Sequence, residues 1–565
     1  MNELSEQTRV VIFILLALVV FVVYSKFFAP PAPPPKKEQP QIAQTAPGPG
    51  AAAEQLNAAP VKPSQIPAIE ASAEKTVVVT SGDYRVELSN RGAVAKSWKL
   101  KKYLDNEKPP QPLDLVHADS ASELGWPLSL VLSNPQEEQK ANTALYQIEP
   151  ASGDLKAPTE VTFKWSDGHL AVTKTLKFAD NYQITMDVSV TEDGRPIPVA
   201  VAWRGGFGDQ SVDDWAQRVS VFYKQNDNLE LLNYKKLGVS GSQSQPQEVA
   251  GSMDFLGVED QFFAAAFLPD TPSLSLWDWT QYYTVTTGSK PVSTPIASVA
   301  AGSTVAEPLQ MRLFVGPKDI NVLRHVRPSL SGLINFGWTS IVAKPLLYAL
   351  QWTHKYISNY GWAIVLLTLA INLPLFPLRL MSQKSMRKMQ KVAPEMRAIQ
   401  DRYKKYPMRD PRRRKMNEEI MELYQKHGVN PLPVGACLPM LIQLPIWWAL
   451  DRVLVASIEL RHAPWILWIH DLSVYDPYYI LPIAMGLAMY ASTAMMPQPA
   501  GVDPAQQKMM KWMPLLMAAF FYKLSAGLNL YILTSSIVGA GQQVYLNRTQ
   551  PMPVQKGRFK KKQAT

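Results

Sequence analysis

The stretch NYGWAIVLLTLAINLPLFPLRL (359–380) contains a single charge, Arg379, and is followed at once by a basic segment. A helix needs about 20 mostly apolar residues to cross the hydrocarbon layer, so this stretch reads as a membrane span. Its polar residues follow a pattern. Thr368 and Asn372 are four apart and share one helix face, and Arg379 lies seven further on, at the end nearest the basic segment. Pro374 and Pro377 stand between them and predict a bend.

The neighbouring sequence repeats the theme. Leu438–Ala456, Ile480–Met496, Trp512–Tyr522 and Leu524–Leu546 are further apolar candidates. The stretch from Trp512 is too short alone; it extends back through Met509 and Met510 and turns near Lys523 and Gly527. Near the N-terminus, VVIFILLALVVFVVY (10–24) continues through Phe27 and Phe28. Glu3 and Glu6 spoil a basic leader and no cleavage site follows, so residues 10–29 read as an uncleaved signal-anchor after a cytoplasmic 1–9. Residues 331–358 are interrupted by Asn335, Thr339, Ser340, Lys344 and Pro345, and predict an amphipathic helix lying in the interface.

Charge sets the orientation. Residues 379–430 carry about fifteen Lys and Arg against six acids, and 547–565 about six with none. The positive-inside rule puts both segments in the cytoplasm. A span at 359–380, a helical hairpin at 381–430, spans three to six within 431–546 and a tail at 547–565 then close on an even count of six. The hairpin could hold anionic lipid, a ribosome or emerging chain, or RNA; membrane proximity explains a basic loop without nucleic acid, and no DNA contact is expected.

Between anchor and bundle, residues 30–75 form a linker with eleven prolines by Pro67. Residues 76–330 change texture. TVVVTS (76–81), DYRVELS (83–89), PLSLVLS (127–133), EVTFKW (160–165), HLAVTKTLKF (169–178), YQITMDVSV (182–190) and LQMRLFVG (309–316) alternate as strands, with a hairpin signal at Asp167-Gly168. No helical period is sustained there, which predicts one large antiparallel sandwich. The expected fold is a multi-domain membrane protein: a six-span helical bundle and a soluble β domain.

Composition narrows the chemistry. The 565 residues are 47% hydrophobic, 18% charged and carry a net charge of +10, which excludes a disordered chain. One cysteine, Cys437, excludes a disulfide framework or a multi-thiolate metal site. The seven histidines form no HExxH pair, and neither a GxxxxGK[ST] loop nor a GxSxG elbow is present, so no catalytic residue, metal or cofactor is expected. What the spans offer is buried polarity: Thr368, Asn372, Gln443, Asp451-Arg452, Asn529, Thr534, Ser535, Ser536, Gln542 and Gln543. Such groups pair across helices or line a wet cavity; their number favours the cavity.

NPLPVGACLPMLIQLPIWWAL (430–450), ELRHAPWILWIHDLSVYDPYYILPI (459–483) and AGLNLYILTSSI (526–537) together resemble the YidC family of bacterial membrane protein insertases. The resemblance is dense over the C-terminal ~230 residues. It implies an insertase, not an enzyme, in the inner membrane. Five core helices would surround a hydrophilic groove open to cytoplasm and lipid, beside a periplasmic β-supersandwich and a cytoplasmic hairpin. Nascent membrane proteins are the implied substrates, ribosome and Sec translocon components the implied partners, and a monomer the implied state. Where the family usually carries a groove arginine, this sequence has Asn372; where a tyrosine is common, it has Ile532 beside Tyr531. The groove residues expected here are Thr368, Asn372, Gln443, Tyr531, Ile532 and Ser535. Arg379 or Arg452 could supply a displaced charge, although hydration by Thr368, Asn372 and Gln443 is the preferred reading. A secondary transporter and a carbohydrate-active enzyme in the β domain are the rival classes.

Overall fold

The computed structural model describes residues 66–549, apart from 151–152, 213–214, 238–245, 271–273, 288–289, 408–409, 429–433 and 497–503. The expected anchor at 10–29, most of the linker and the tail beyond 549 lie outside the described residues. The chain falls into two compact units, one ending at Ile334 and the other resuming at Asn335.

All seven alternating runs of the first unit are strands, among them Thr159–Ser166, Leu170–Phe178, Gln183–Glu192 and Leu309–Pro317. Their alternation is the physical cause. Along Leu170–Phe178 every second side chain is buried while the intervening Thr and Lys side chains are more exposed. The expected single antiparallel sandwich is nevertheless too simple. Among the described residues there are three sheets, of five, ten and five strands, and Thr76–Thr80 pairs in parallel with Asp154–Lys156. Several strands were missed because they do not alternate. Phe255–Glu259 and Phe263–Pro269 are buried at every position, and the long Val94–Leu104 is rich in lysine. Short helices also break the all-β expectation, among them α1 (Ala118–Leu124) and α2 (Pro135–Thr143). The second begins with Pro135 and is capped by Asn134, whose side chain accepts the Gln136 N–H at 3.0 Å.

The hairpin at 167–168 is present, closed by the Asp167 N–H donating to the Leu170 carbonyl at 3.1 Å, so its two central residues are Gly168 and His169. Gly168 supplies the positive φ of 92° that the turn requires. Deeper in the unit Lys174 is fully buried, and its Nζ donates to the carbonyls of Gly92, Ala93 and Leu128 at 2.8–3.1 Å. Three donors meet three acceptors, which ties the ten-stranded sheet to two distant turns.

His117 is fully buried too. Its Nε2–H donates to the Gly208 carbonyl at 2.9 Å, and its ring meets Trp215 edge-on at 4.3 Å. Burial pulls the imidazole down from the ordinary 6.5 to about 4. The unfolded chain therefore takes up this proton first as pH falls. The stabilisation is complete above the ordinary value and is lost across the interval down to the folded one, a total of about 3 kcal/mol. In urea titrations of the full-length protein, His117→Gln should be the less stable at pH 7, and its gap to wild type should narrow towards pH 4. A gap independent of pH would remove His117 as the source of the acid sensitivity.

The second unit is helical: α3 (Ser340–Tyr356), α4 (Tyr360–Tyr403), α5 (Arg412–Lys426), α6 (Val434–Ala456), α7 (Ile480–Met495), α8 (Pro504–Phe520) and α9 (Ala526–Thr549). Its main departure from expectation is α4. Span and hairpin arm form one unbroken helix of 44 residues, so the expected boundary at 380/381 is not a helix end. Among the described residues α4 alone is long and apolar enough to qualify as a span by itself. Its far half packs on α5, with Val392, Met396 and Ile399 against Met416 and Leu423. Arg402 and Tyr403 both meet Glu419, at 2.8 and 2.7 Å. Within the unit α9 packs against α4, α6 and α7, and α8 against α7.

Candidate functional site

Helices α4, α6, α7, α8 and α9 enclose a cavity of about 490 Å³. Its lining is divided in character. Met386, Met489, Met496, Met517 and Trp447 supply an apolar, adaptable side; Ser382, Gln383, Gln443, Ser492, Ser535 and Gln542 supply a polar one. Among the described lining residues Arg379 is the only charged side chain.

The polar side is built on a seam between α4 and α9. Asn372 Nδ2 donates to Ser535 Oγ at 3.4 Å, Arg379 Nη1 to Gln542 Oε1 at 3.1 Å, and Arg387 Nη2 to Asn547 Oδ1 at 2.9 Å. The first two pairs share the same sequence offset, 163, so the two helices run parallel with a polar rung every two turns. A second tie crosses to α6, where Gln443 Nε2 donates to the Tyr531 hydroxyl at 2.8 Å. Gly539 lies beside the Arg379 guanidinium, and a Cβ there would make only an ordinary contact with Nη1 at 3.5 Å.

Five of the eight anticipated side chains therefore share this cavity: Gln443, Tyr531, Ile532, Ser535 and Arg379. The other three do not. Thr368 and Asn372 are fully buried and outside the lining; Thr368 Oγ1 donates to the Ile364 carbonyl at 2.7 Å, and Asn372 Nδ2 to the Thr368 carbonyl at 2.8 Å. Thr368 bonds only back to its own helix, and Asn372 divides its bonds between the Thr368 carbonyl and Ser535, so both lie behind the lining rather than on it. Arg452 is exposed and outside the lining. Sequence reasoning omitted Ser382, Gln383 and Ser492. The heptad that pairs 372 with 379 on α4 and 535 with 542 on α9 was a visible signal for the seam.

The end of the bundle at which α4, α7 and α9 begin is organised by the loop 457–479. Asn359, which caps α4, also donates to the carbonyls of Pro464 and Trp465 at 3.2 and 3.0 Å. Gly361 is required there, because a Cβ would come within 2.1 Å of the Trp465 ring. The Ala526 and Gly527 N–H groups donate to Val474 and Leu472, which fixes the start of α9. Asp476 is fully buried and accepts from Trp468 Nε1 and from the Tyr478 and Leu481 N–H groups at 2.7–3.0 Å. Trp465 and Trp468 are both half-buried and engaged within the loop.

Comparison with known proteins follows this division of the chain. The family described as YidC periplasmic domain matches residues 76–349, and the family described as 60Kd inner membrane protein matches residues 352–553. A membrane protein insertase YidC from Burkholderia multivorans is 32% identical over 525 residues, covering 90% of this chain and 92% of that protein. The chain belongs to the YidC family of membrane protein insertases. A YidC from Cupriavidus necator is 33% identical over 516 residues, covering 90% of this chain and 88% of that one. Among solved structures, an active YidC insertase with its first transmembrane domain resolved is similar at 20% identity and a TM-score of 0.35, over 85% of this chain and 94% of that chain. Family membership makes this an inner-membrane insertase with a β-rich periplasmic domain and a C-terminal helical region, and nascent membrane proteins are its substrates. The transporter and carbohydrate-enzyme readings fall away.

Asp476 gives the loop a measurable test. Asp476→Ala leaves three donors without their carboxylate and should cost about 3 kcal/mol or more, seen as faster thermal inactivation in detergent. Asp471→Ala, at a carboxylate serving only Ser473 by hydrogen bond, should change it far less.

Proposed function

We propose that this YidC-family chain inserts client helices through the cavity between α4, α6, α7, α8 and α9, with Arg379 as its working cation. The observation that carries the reading is that the lining's single charge is Arg379 while Asn372 is buried off it. A client's polar tail must cross hydrocarbon, where each unsatisfied polar group costs several kcal/mol. A wet, partly polar cavity shortens the dry path. Arg379, whose hydrogen-bond partner among the described residues is Gln542, keeps donors for an acidic group in the passing tail. The client's apolar segment then leaves for lipid, which is favourable by about 25 cal/mol per Å² of apolar surface removed from water.

The same reading assigns the remaining parts. Residues 10–29 and helices α4, α6, α7, α8 and α9 are the six spans, five of them forming the core, with both termini in the cytoplasm. The parallel run of α4 and α9 supports two spans of the same direction. The β unit is a supersandwich facing the periplasm. Helix α3 lies in the interface, in keeping with the exposure of Ile341, Trp352 and Tyr356. The α4–α5 hairpin and the tail meet anionic lipid and the ribosome, the protein acts alone or beside the Sec translocon, and it does so as a monomer.

Reconstituted proteoliposomes with single-span clients test the charge. Arg379→Ala should lower insertion of a client with an acidic translocated tail about tenfold, the scale of one charged hydrogen bond, and affect an uncharged tail much less. Arg379→Lys should restore most of the activity, and Asn372→Ala or Thr368→Ala should stay within about twofold of wild type on the same scale. Equal losses for both tails in Arg379→Ala, or a larger loss in Asn372→Ala, would return the mechanism to hydration alone.

A further inference from the structure

The β unit brings four ionisable side chains together where strands Leu170–Phe178 and Gln183–Glu192 of the ten-stranded sheet begin and end. His169 sits in the turn after Thr159–Ser166, Glu192 ends the strand Gln183–Glu192, Asp193 follows in the next turn, and Glu137 lies in the first turn of α2. Strand register creates the meeting, since Glu192 pairs with Leu170 and the Asp193 N–H donates to the His169 carbonyl at 2.8 Å.

We propose that Glu137, His169 and Glu192 form a binding site for a divalent transition-metal ion of the zinc type, with Asp193 orienting the imidazole. One ligand atom from each of the three lies within 4.8 Å of the others. His169 Nε2 stands 3.3 Å from Glu192 Oε1 and 3.8 Å from Glu137 Oε1. Ligand atoms on a tetrahedral zinc with bonds of 2.0–2.2 Å are separated by about 3.3 Å, so the spacing needs little adjustment.

The imidazole separates this cluster from an acidic surface patch. Its Nδ1 is 2.7 Å from Asp193 Oδ1, and with Nδ1–H donating to that carboxylate the neutral ring presents its Nε2 lone pair to an ion held by the two glutamates. A carboxylate behind a ligating histidine is the usual outer partner of a metal-bound imidazole. Charge also favours a cation. Three carboxylates surround one imidazole, and the nearby Lys140 is paired with Asp167 at 3.3 Å. Glu137 is buried and faces Glu192, and a dication would relieve the repulsion between the two carboxylates. Mixed nitrogen and oxygen donors suit zinc or a similar first-row ion better than magnesium or calcium. His169 is half-exposed, so a fourth position is open to water. The bound ion would clamp α2, the hairpin turn and the turn at Asp193 to one another.

The test uses full-length protein in detergent, purified without a histidine tag, stripped with chelator and titrated with zinc chloride by calorimetry. The visible spectrum of added cobalt reports nitrogen and oxygen coordination independently. One equivalent should bind to wild type, and His169→Asn should remove it. Glu192→Gln should weaken it strongly, and Asp193→Asn should weaken it about 10–100-fold, as losing an outer partner does. Circular dichroism of each variant separates loss of metal from loss of fold, and Glu137→Gln provides a second ligand variant if His169→Asn unfolds. No binding to wild type would overturn the site and leave His169 as a protonated clasp between carboxylates. Zinc binding unchanged by these substitutions would also overturn it, since six other histidines are available.

Discussion

Inside a bilayer a polar group has no water to fall back on, and every backbone and side-chain donor must find its partner within the protein. That requirement explains more of the helical unit than apolar packing does. Helix α4 carries Pro374 and Pro377, each of which removes one rung of its hydrogen-bond ladder, yet it continues unbroken to Tyr403. What accompanies the prolines is the seam to α9: Asn372 with Ser535, then Arg379 with Gln542, then Arg387 with Asn547. Neighbouring helices in lipid gain little from apolar contact, so regularly placed polar rungs hold a fixed register between two parallel helices.

The cavity lies where that pairing is incomplete. Thr368 bonds back to its own helix and Asn372 bonds both to that helix and to Ser535, and the two close the interior around them. About two to three turns beyond Asn372, Arg379 and Gln383 face open space together with Gln443 of α6, and Gln383 Oε1 has no partner among the described residues. Such groups call for water, and a volume of about 490 Å³ admits it. The loop 457–479 has the opposite character. Asp476 gathers three donors, and Trp465 is pressed against Gly361, so the starts of the helices are pinned. Tight closure at one end and unspent polarity further along are both consequences of where hydrogen-bond partners run out.

Much of this was legible in the sequence, for identifiable reasons. Strands such as Leu170–Phe178 alternate, and alternation survives without any tertiary knowledge. Phe263–Pro269 does not alternate, because both of its faces are covered, and an Ala-rich buried run has no period to read. The helical polar residues were all visible, but periodicity assigns a face and not a depth. Thr368 and Asn372 share the face predicted for them; whether that face meets water or a packed neighbour depends on α9, more than 150 residues away. The metal-ligand cluster in the β unit was equally out of reach, since Glu137, His169 and Glu192 converge only through strand register.

Depth is also what makes the position of the charge intelligible. Seven residues of helix correspond to about 10 Å along its axis, so Arg379 sits that far from Asn372 towards the basic hairpin. A guanidinium at 372 would occupy a site with no exposure, where an unpaired charge costs several kcal/mol even after relaxation. At 379 it opens onto the cavity and leans on Gln542. On the proposed mechanism the water column reaching it can be correspondingly shorter, while a client's acidic group is met nearer the cytoplasmic side. The remaining distance must then be crossed beside Tyr531, Ile532 and Ser535. That arrangement suits clients whose polar tails are short, because the cation lowers the cost of the first step and the uncharged part of the cavity sets the cost of the second.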